Sequence, residues 1–439
     1  MKKVLIVSPH FPPVNAADMQ RVRLALPYLL ALGWEPTVLA VAPESVEGAV
    51  MDEILLHTYP ADIRVLRVRG VPPHLTRWAG IGSLWWRCSR ALRATGDRLL
   101  KAESFDLVFF STTQFDAFTL GPRWLRRFGV PYVLDYQDPW INNYYHNTGT
   151  RPPGGPLKFW FSQFNARRLE PAVVKSAAAI IAVSPSYGVD LHRRYPWFPA
   201  ENVRTIPFGT SFLDLRIARE HNPGTSLVPF GDGNFHHIYA GRCGPDMTIA
   251  LTALFRAFKH YLLTHPTEAA RHRFHFIGTD YAPPPFGQYW VLPVAEREGV
   301  APQVSEHCYR VSYFDALYYI TRADVLIVVG SNDPTYSPSK IYPYLFAQRP
   351  LITIAHENSL MIPVAQAQCP LSCYAFSSHS DLAAISDRIY REWFIGGLHQ
   401  HTPICPVSII KGHGAETMAG QLAEVFELAA RRTSRPISD

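Results

Sequence analysis

The chain has 439 residues, 47% of them apolar and 18% charged, which fits a soluble globular protein and excludes a disordered one. That length suits two domains, each able to bury its own core, and no apolar run approaches the roughly 18–20 residues of a membrane helix. Much of the net charge of +6 lies in residues 64–101, where Arg64, Arg67, Arg69, Arg77, Arg87, Arg90, Arg93, Arg98 and Lys101 face one anion, Asp97, with Trp78, Trp85 and Trp86 between them.

In chain order, Met-Lys-Lys and Val4–Val7, cut short by Pro9, read as a first strand rather than a signal peptide. A helix is expected over Asp18–Leu32, with Val22, Ala25, Leu26, Leu29 and Leu30 on one face, Pro27 as a kink and Gly33 as terminator. Further strands follow at Thr37–Val41, Ile63–Val68, Leu107–Phe110, Tyr132–Leu134, Ile180–Val183 and Val203–Ile206. Strand–helix alternation predicts a parallel sheet covered on both faces. Residues 207–234 break the pattern with Pro207-Phe-Gly209, Asn222-Pro-Gly224 and Pro229–Asn234, which is turn chemistry and marks the domain boundary. A second alternating series runs through His237–Ala240, a helix near Met247–Leu263, Arg273–Ile277, Asp324–Val329 and Leu351–Ile354, and ends in a helix over Ala415–Ala430. The expected organisation is domain one over 1–210, a linker over 211–234, domain two over 235–410 and a terminal segment over 411–439. Cys88, Cys243, Cys308, Cys369, Cys373 and Cys405 form no paired ligand pattern. Buried thiols in a reducing cytoplasm are the better reading than a metal site.

The densest signal is Ala323–Gly330, then Ser331–Lys340 and Leu351–Ile354: an apolar strand, a polar loop, a helix opened by Ser337-Pro-Ser339-Lys340 and a second strand. This βαβ unit turns a helix start toward the carboxyl end of a sheet, where amides together with Lys340 suit a phosphate. Here the chain resembles the second half of a GT-B glycosyltransferase of the broad retaining family 4-like group. The resemblance runs nearly the whole length. Pro9-His10-Phe-Pro-Pro13 with Arg21 is similar to the family's first loop, although Asn15–Asp18 replaces its glycine pair. Asp135-Tyr-Gln137-Asp138-Pro-Trp140 is similar to the Asp-x-Arg-Asp-Pro-Trp branch, with Gln137 for Arg. Ile206-Pro-Phe208-Gly209 is similar to a Pro-Asn-Gly pattern. Ile238–Arg242 resembles Tyr-x-Gly-Arg, and His275–Gly278 the strand whose last glycine leaves room for the nucleotide. The chain departs from the family at its Glu-x7-Glu motif, where Thr335 and Pro343 stand.

The resemblance implies an α/β fold of GT-B type, two Rossmann-like domains with parallel sheets facing across a cleft, acceptor side first, and a last helix returning to the first domain. It implies a hexosyl-type glycosyltransferase that moves a sugar, with retention and without a metal or other cofactor, from a nucleotide-sugar to a saccharide or lipid-linked acceptor. The setting it implies is surface polysaccharide biosynthesis in the cytoplasm, at the inner face of the membrane. Donor contacts would come from Gly241, Arg242, Gly278, Asp333, Ser337, Ser339, Lys340 and Tyr342. Arginine suits a diphosphate because its planar fork donates two parallel hydrogen bonds; a structural ion pair is the other reading of Arg242. Asp138 either polarises the acceptor hydroxyl or caps its loop ahead of Pro139, and His10 either faces the cleft or is an ordinary loop histidine. The Arg/Trp segment is a solvated helix face, an anionic-membrane patch through Trp85, Trp86, Arg87 and Arg90, or, least favoured, a nucleic-acid surface; the partner expectation excludes nucleic acid. Loss of both motif glutamates keeps open an inactive, nucleotide- or partner-binding relative, and a nucleotide-sugar epimerase is a weaker rival.

Overall fold

The computed structural model describes residues 1–76, 82–142, 155–282, 284–333, 341–368, 370–377, 379–401 and 406–432. It divides into two compact units, residues 1–209 with 415–439, and residues 210–414.

The first unit is built on seven strands: β1 (Lys2–Val7), β2 (Trp34–Val41), β3 (Arg64–Val68), β4 (Leu107–Ser111), β5 (Tyr132–Tyr136), β6 (Ala179–Ala182) and β7 (Val203–Thr205). They lie in the order β3-β2-β1-β4-β5-β6-β7, every neighbouring pair parallel. The main helices are α1 (Gln20–Leu29), α2 (Leu84–Ala102), α3 (Leu120–Phe128), α4 (Pro156–Lys175) and α5 (Pro185–Arg194). Because strand residues alternate between faces, Leu5 and Val7 of β1 enter one core with Leu92 of α2, Trp124 of α3 and Val173 of α4. Val4 and Ile6 enter another with Val22 and Leu26 of α1.

The second unit has six parallel strands: β8 (Phe235–Ala240), β9 (His272–Ile277), β10 (Val304–His307), β11 (Val325–Val329), β12 (Leu351–His356) and β13 (Cys373–Phe376). Their order is β10-β9-β8-β11-β12-β13. Its helices include α6 (Phe212–Glu220), α7 (Thr248–Thr264), α8 (Tyr313–Arg322) and α9 (Ile341–Phe346). Leu254, Phe255 and Phe258 of α7 pack on Phe274 and Phe276 of β9. The final helix, α10 (Ala415–Arg432), belongs to the first unit: Met418, Leu422 and Phe426 complete the core that α1 begins.

Residues 211–234 are not a linker. Ser211 caps α6 through the Asp214 amide, and Tyr313 of α8 donates to Asp214 Oδ2 at 2.9 Å. Proline and glycine there mark turns within the second unit, and the boundary falls at Gly209/Thr210. The helix expected over Asp18–Leu32 is a short 3-10 turn followed by α1, which stops at Leu29. Cys88, Cys243, Cys308 and Cys373 are buried free thiols. Among the described residues no helix is long and apolar enough to cross a membrane, and no group of three or more metal-ligating side chains is placed to hold an ion.

Candidate functional site

In the first sheet the strand order reverses between β1 and β4, so the chain leaves those strands in opposite directions and opens a crevice at their carboxyl ends. His10 follows β1 and lies with its Nδ1 2.8 Å from Asp18 Oδ1. Asp18 is 3% exposed. Its Oδ2 accepts from Thr112 Oγ1 at 3.0 Å, from the Thr113 amide at 3.0 Å and from Thr113 Oγ1 at 3.1 Å, all just past β4. Burial alone disfavours charge on both partners, but the mutual hydrogen bond and opposite charges outweigh it, raising the His10 pKa and lowering that of Asp18. With Nδ1 committed to a carboxylate, Nε2 is the ring nitrogen left to act on a ligand.

Asp138, after β5, is exposed and makes no loop-capping hydrogen bond among the described residues. Crowding by the surrounding protein, and then the charge of Asp18, push its pKa up. Tyr187 of α5 is a further neighbour: desolvation, followed by the charge of Asp138, pushes its phenol up to about 12. His10, Asp18, Thr113, Asp138 and Tyr187 therefore come from four strand ends to one edge.

Beneath them is a buried polar floor. Arg21 Nε donates to Asp135 Oδ2 at 2.8 Å, with both side chains fully buried, and Arg21 Nη2 donates to the Ile206 carbonyl at 2.7 Å. Ser111 Oγ also donates to Asp135 Oδ2, and Gln137 Nε2 reaches Asp135, Ser111 and the Asp18 carbonyl. Arg21 supplies the cation for Asp135, and Gln137 completes the floor with neutral hydrogen bonds. Phe208 lies against the Arg21 guanidinium, 4.9 Å from ring centroid to Cζ.

In the second unit, Gly241 and Gly278 follow β8 and β9 with φ of +134° and +73°, backbone that a side chain would strain. Arg242 is held by Asp246 through two parallel bonds of 2.9 and 2.7 Å. Burial would raise the Asp246 pKa, but Arg242 and Ser331 hold it down. The Asp246 carbonyl accepts from the Asn332 amide at 2.8 Å, which ties the loop after β8 to that after β11. Asp333, half-buried, takes its place there with its amide on Ser331 Oγ. Tyr342 of α9 stacks on His413, with centroids 4.2 Å apart, and burial raises its phenol pKa. Ser337, Ser339 and Lys340, together with Thr335, lie outside the described residues.

The membrane-side set divides. Arg87 is 4% exposed and its Nη1 donates to the Ser45 and Val71 carbonyls, so it braces the interior and cannot meet a bilayer. Trp85 is half-buried against the core, whereas Trp86 and Arg90 face solvent. Sequence reasoning passed over Asp18, Thr113 and Tyr187. The one signal for Thr112-Thr113 was a polar run directly after an apolar strand; nothing in the sequence pairs Asp18 with His10.

Residues 20–209 match the family described as glycosyl transferase 4-like domain. No curated protein sequence matches the chain. Among solved structures, the chain is similar to Anabaena Alr3699/HepE in complex with UDP, at 16% identity and a TM-score of 0.56 over 97% of this chain and 100% of that one. It is similar to a glycosyltransferase from Rickettsia africae, at 13% identity and 0.58 over 97% and 98%. It is also similar to a UDP-forming α,α-trehalose-phosphate synthase from Burkholderia xenovorans, at 14% and 0.59 over 98% and 100%. The fold is that of GT-B glycosyltransferases, two Rossmann-like α/β units with parallel sheets of seven and six strands.

Proposed function

We propose that this chain is a nucleotide-sugar glycosyltransferase whose first unit takes a saccharide acceptor and whose second unit takes the donor. The observation that carries the reading is the edge cluster of the first sheet, where the buried carboxylate of Asp18 holds His10 and its charge also acts on the exposed carboxyl of Asp138. That arrangement binds a sugar hydroxyl and accepts or shares its proton. In the transfer, the acceptor oxygen bonds to the anomeric carbon as the bond from that carbon to the diphosphate breaks. The hydroxyl proton leaves to His10, to Asp138 or to the departing diphosphate. Gly241, Arg242 and Gly278, with Lys340, are the groups proposed to receive the diphosphate and stabilise its developing charge without a metal. Two of the fold's neighbours favour a uridine nucleotide, one having been solved with UDP and one being UDP-forming. Transfer of a hexosyl group with retention, to a lipid-linked saccharide of a surface polysaccharide, at the cytoplasmic face of the membrane, completes the proposal.

One observation favours a second reading, an inactive nucleotide- or partner-binding relative. Arg242 is already engaged by Asp246, and both motif glutamates are replaced, by Thr335 and Pro343. Incubation with a panel of nucleotide-sugars and detection of released nucleotide separates the two. Release from one donor that Asp138→Asn lowers at least ~100-fold supports transfer. Nucleotide binding with no release from any donor supports the inactive relative.

A further inference from the structure

The α4 helix is inverted in polarity over its first turns. Leu157, Trp160, Phe161 and Phe164 recur at helical spacing, and all four are exposed, Leu157 at 86% and Trp160 at 65%. Trp160 and Phe164 stack in the open, their centroids 5.7 Å apart. A helix of a soluble unit ordinarily turns such a face inward, and contiguous exposed aromatic surface marks an interaction site. The charges beside it have one sign. Lys158, Arg167 and Arg168 are exposed on α4, and Arg90 and Arg93 on α2. Neither Pro156–Arg168 nor Leu84–Gly96 contains an aspartate or glutamate.

Between the two helices runs a groove of about 700 Å³ lined by Trp86, Phe115, Trp140, Phe159 and Phe161, with Lys158 on its wall. Its lining also includes Thr113 and Pro139, the first a partner of Asp18 and the second next to Asp138. Among the described residues its one carboxylate is Asp116, which accepts from Asn165 at 3.1 Å and whose pKa burial raises. The groove therefore borders both the exposed aromatic face and the polar cluster.

We propose that this face docks on an anionic bilayer, with Trp160, Phe161 and Phe164 in the headgroup region, and that the groove receives the apolar chain of a lipid-linked acceptor drawn from that bilayer. Aromatic rings favour the membrane interface, basic residues near an anionic surface add electrostatic attraction, and an amphipathic helix lies in the interface plane. This deepens the glycosyltransferase reading and rests on it for the identity of the groove's occupant. It also moves the membrane contact away from Arg87, which is buried.

The test is co-flotation of the full chain with phosphatidylglycerol–phosphatidylcholine vesicles and with pure phosphatidylcholine vesicles, while Trp emission is followed. The expected result is binding to the anionic vesicles alone, weakened by salt, with a blue shift that Trp160→Phe removes in part. Phe161→Asp/Phe164→Asp and, separately, Lys158→Glu/Arg168→Glu should each weaken binding at least ~tenfold. Equal binding to both vesicles, binding to neither, or binding unchanged in both variants overturns the proposal. Loss of transfer to a soluble saccharide in these variants, with no vesicle binding by the parent, makes the groove a sugar subsite and also overturns it. A nucleotide-induced thermal shift, measured in the same variants, is expected to stay unchanged. It reports on the donor reading separately, so failure at the membrane and failure of the glycosyltransferase reading are distinguishable.

Discussion

At the residue scale, hydrogen-bonded partners hold the buried carboxylates of the first unit, Asp18 and Asp135, in place. Asp135 is fully buried and relies on Arg21 for countercharge, so Arg21→Met should cost about 3–5 kcal/mol of stability. The double variant Arg21→Met/Asp135→Asn should lose less than the single, because no buried charge is then left alone; urea titration measures both. The pair of His10 and Asp18 gives a pH signature. His10 has its pKa raised above 6.5, so its contribution is complete below that value and is lost as pH rises through the folded-state pKa. Asp18 has its pKa lowered below 3.8, so its contribution is present above that value and is lost only in acid. The stability difference between the parent and Asp18→Asn should therefore narrow from mildly acidic to alkaline pH; a constant difference would mean that the threonine hydrogen bonds, not the charge pair, carry Asp18. His10→Ala should lower transfer by about 10²–10⁴-fold without altering the nucleotide-induced thermal shift. Of this cluster, His10 and Asp138 stood out in the sequence because each follows an apolar strand in a segment that resembles a family motif. Asp18 did not, since a carboxylate eight residues from a histidine is paired only by the path of the intervening loop.

At the element scale, every strand of the first sheet was legible, its short edge strand at Val203–Thr205 included, whereas the two edge strands of the second sheet were not. Val325–Val329 is a run of five apolar residues in the middle of its sheet. By contrast, Val304–His307 and Cys373–Phe376 are four-residue strands at the two edges of that sheet; the first is broken by Ser305 and Glu306, and the second, Cys-Tyr-Ala-Phe, is too short to show a period. Pairing of β8 with β9 creates a feature that no one-dimensional pattern reveals. His236 faces His275 at 3.0 Å and His237 faces His272 at 2.8 Å, all of them buried, with the His399 ring tilted against His272 at 5.4 Å between centroids. Desolvation, then the neighbouring imidazoles, lower the His272 pKa to about 3 and the His275 pKa to about 4. Groups with depressed folded-state pKa values bind protons more readily once unfolded, so the second unit should lose stability as pH falls from 6.5 toward 4. His272→Phe should flatten that fall in urea midpoint; an unchanged slope would place the acid lability elsewhere. The last helix was legible as a helix, and its role depends on packing: Phe426 meets Trp34 and Phe109 with centroids 5.4 and 5.0 Å away. Phe426→Ala should destabilise the first unit by about 3–5 kcal/mol.

At the scale of the whole molecule, two parallel sheets each end in polar strand edges, and they carry different chemistry. The first unit offers a fixed histidine and an exposed carboxyl, the second two positive-φ glycines and an arginine. The alternation of strands and helices made both sheets readable from the sequence. The boundary was displaced because Pro- and Gly-rich residues 221–234 look like a connector, although they and α6 pack within the second unit. The central claim is that this second unit binds a nucleotide-sugar. Thermal unfolding with UDP, GDP, ADP, dTDP and CMP, in the parent, Arg242→Ala and Lys340→Ala, tests it most directly. At ~100 times its dissociation constant a ligand stabilises by about 2.7 kcal/mol, a shift that is readily seen. The account predicts a shift with one nucleotide, UDP being favoured, that either substitution diminishes; no shift with any nucleotide would contradict it.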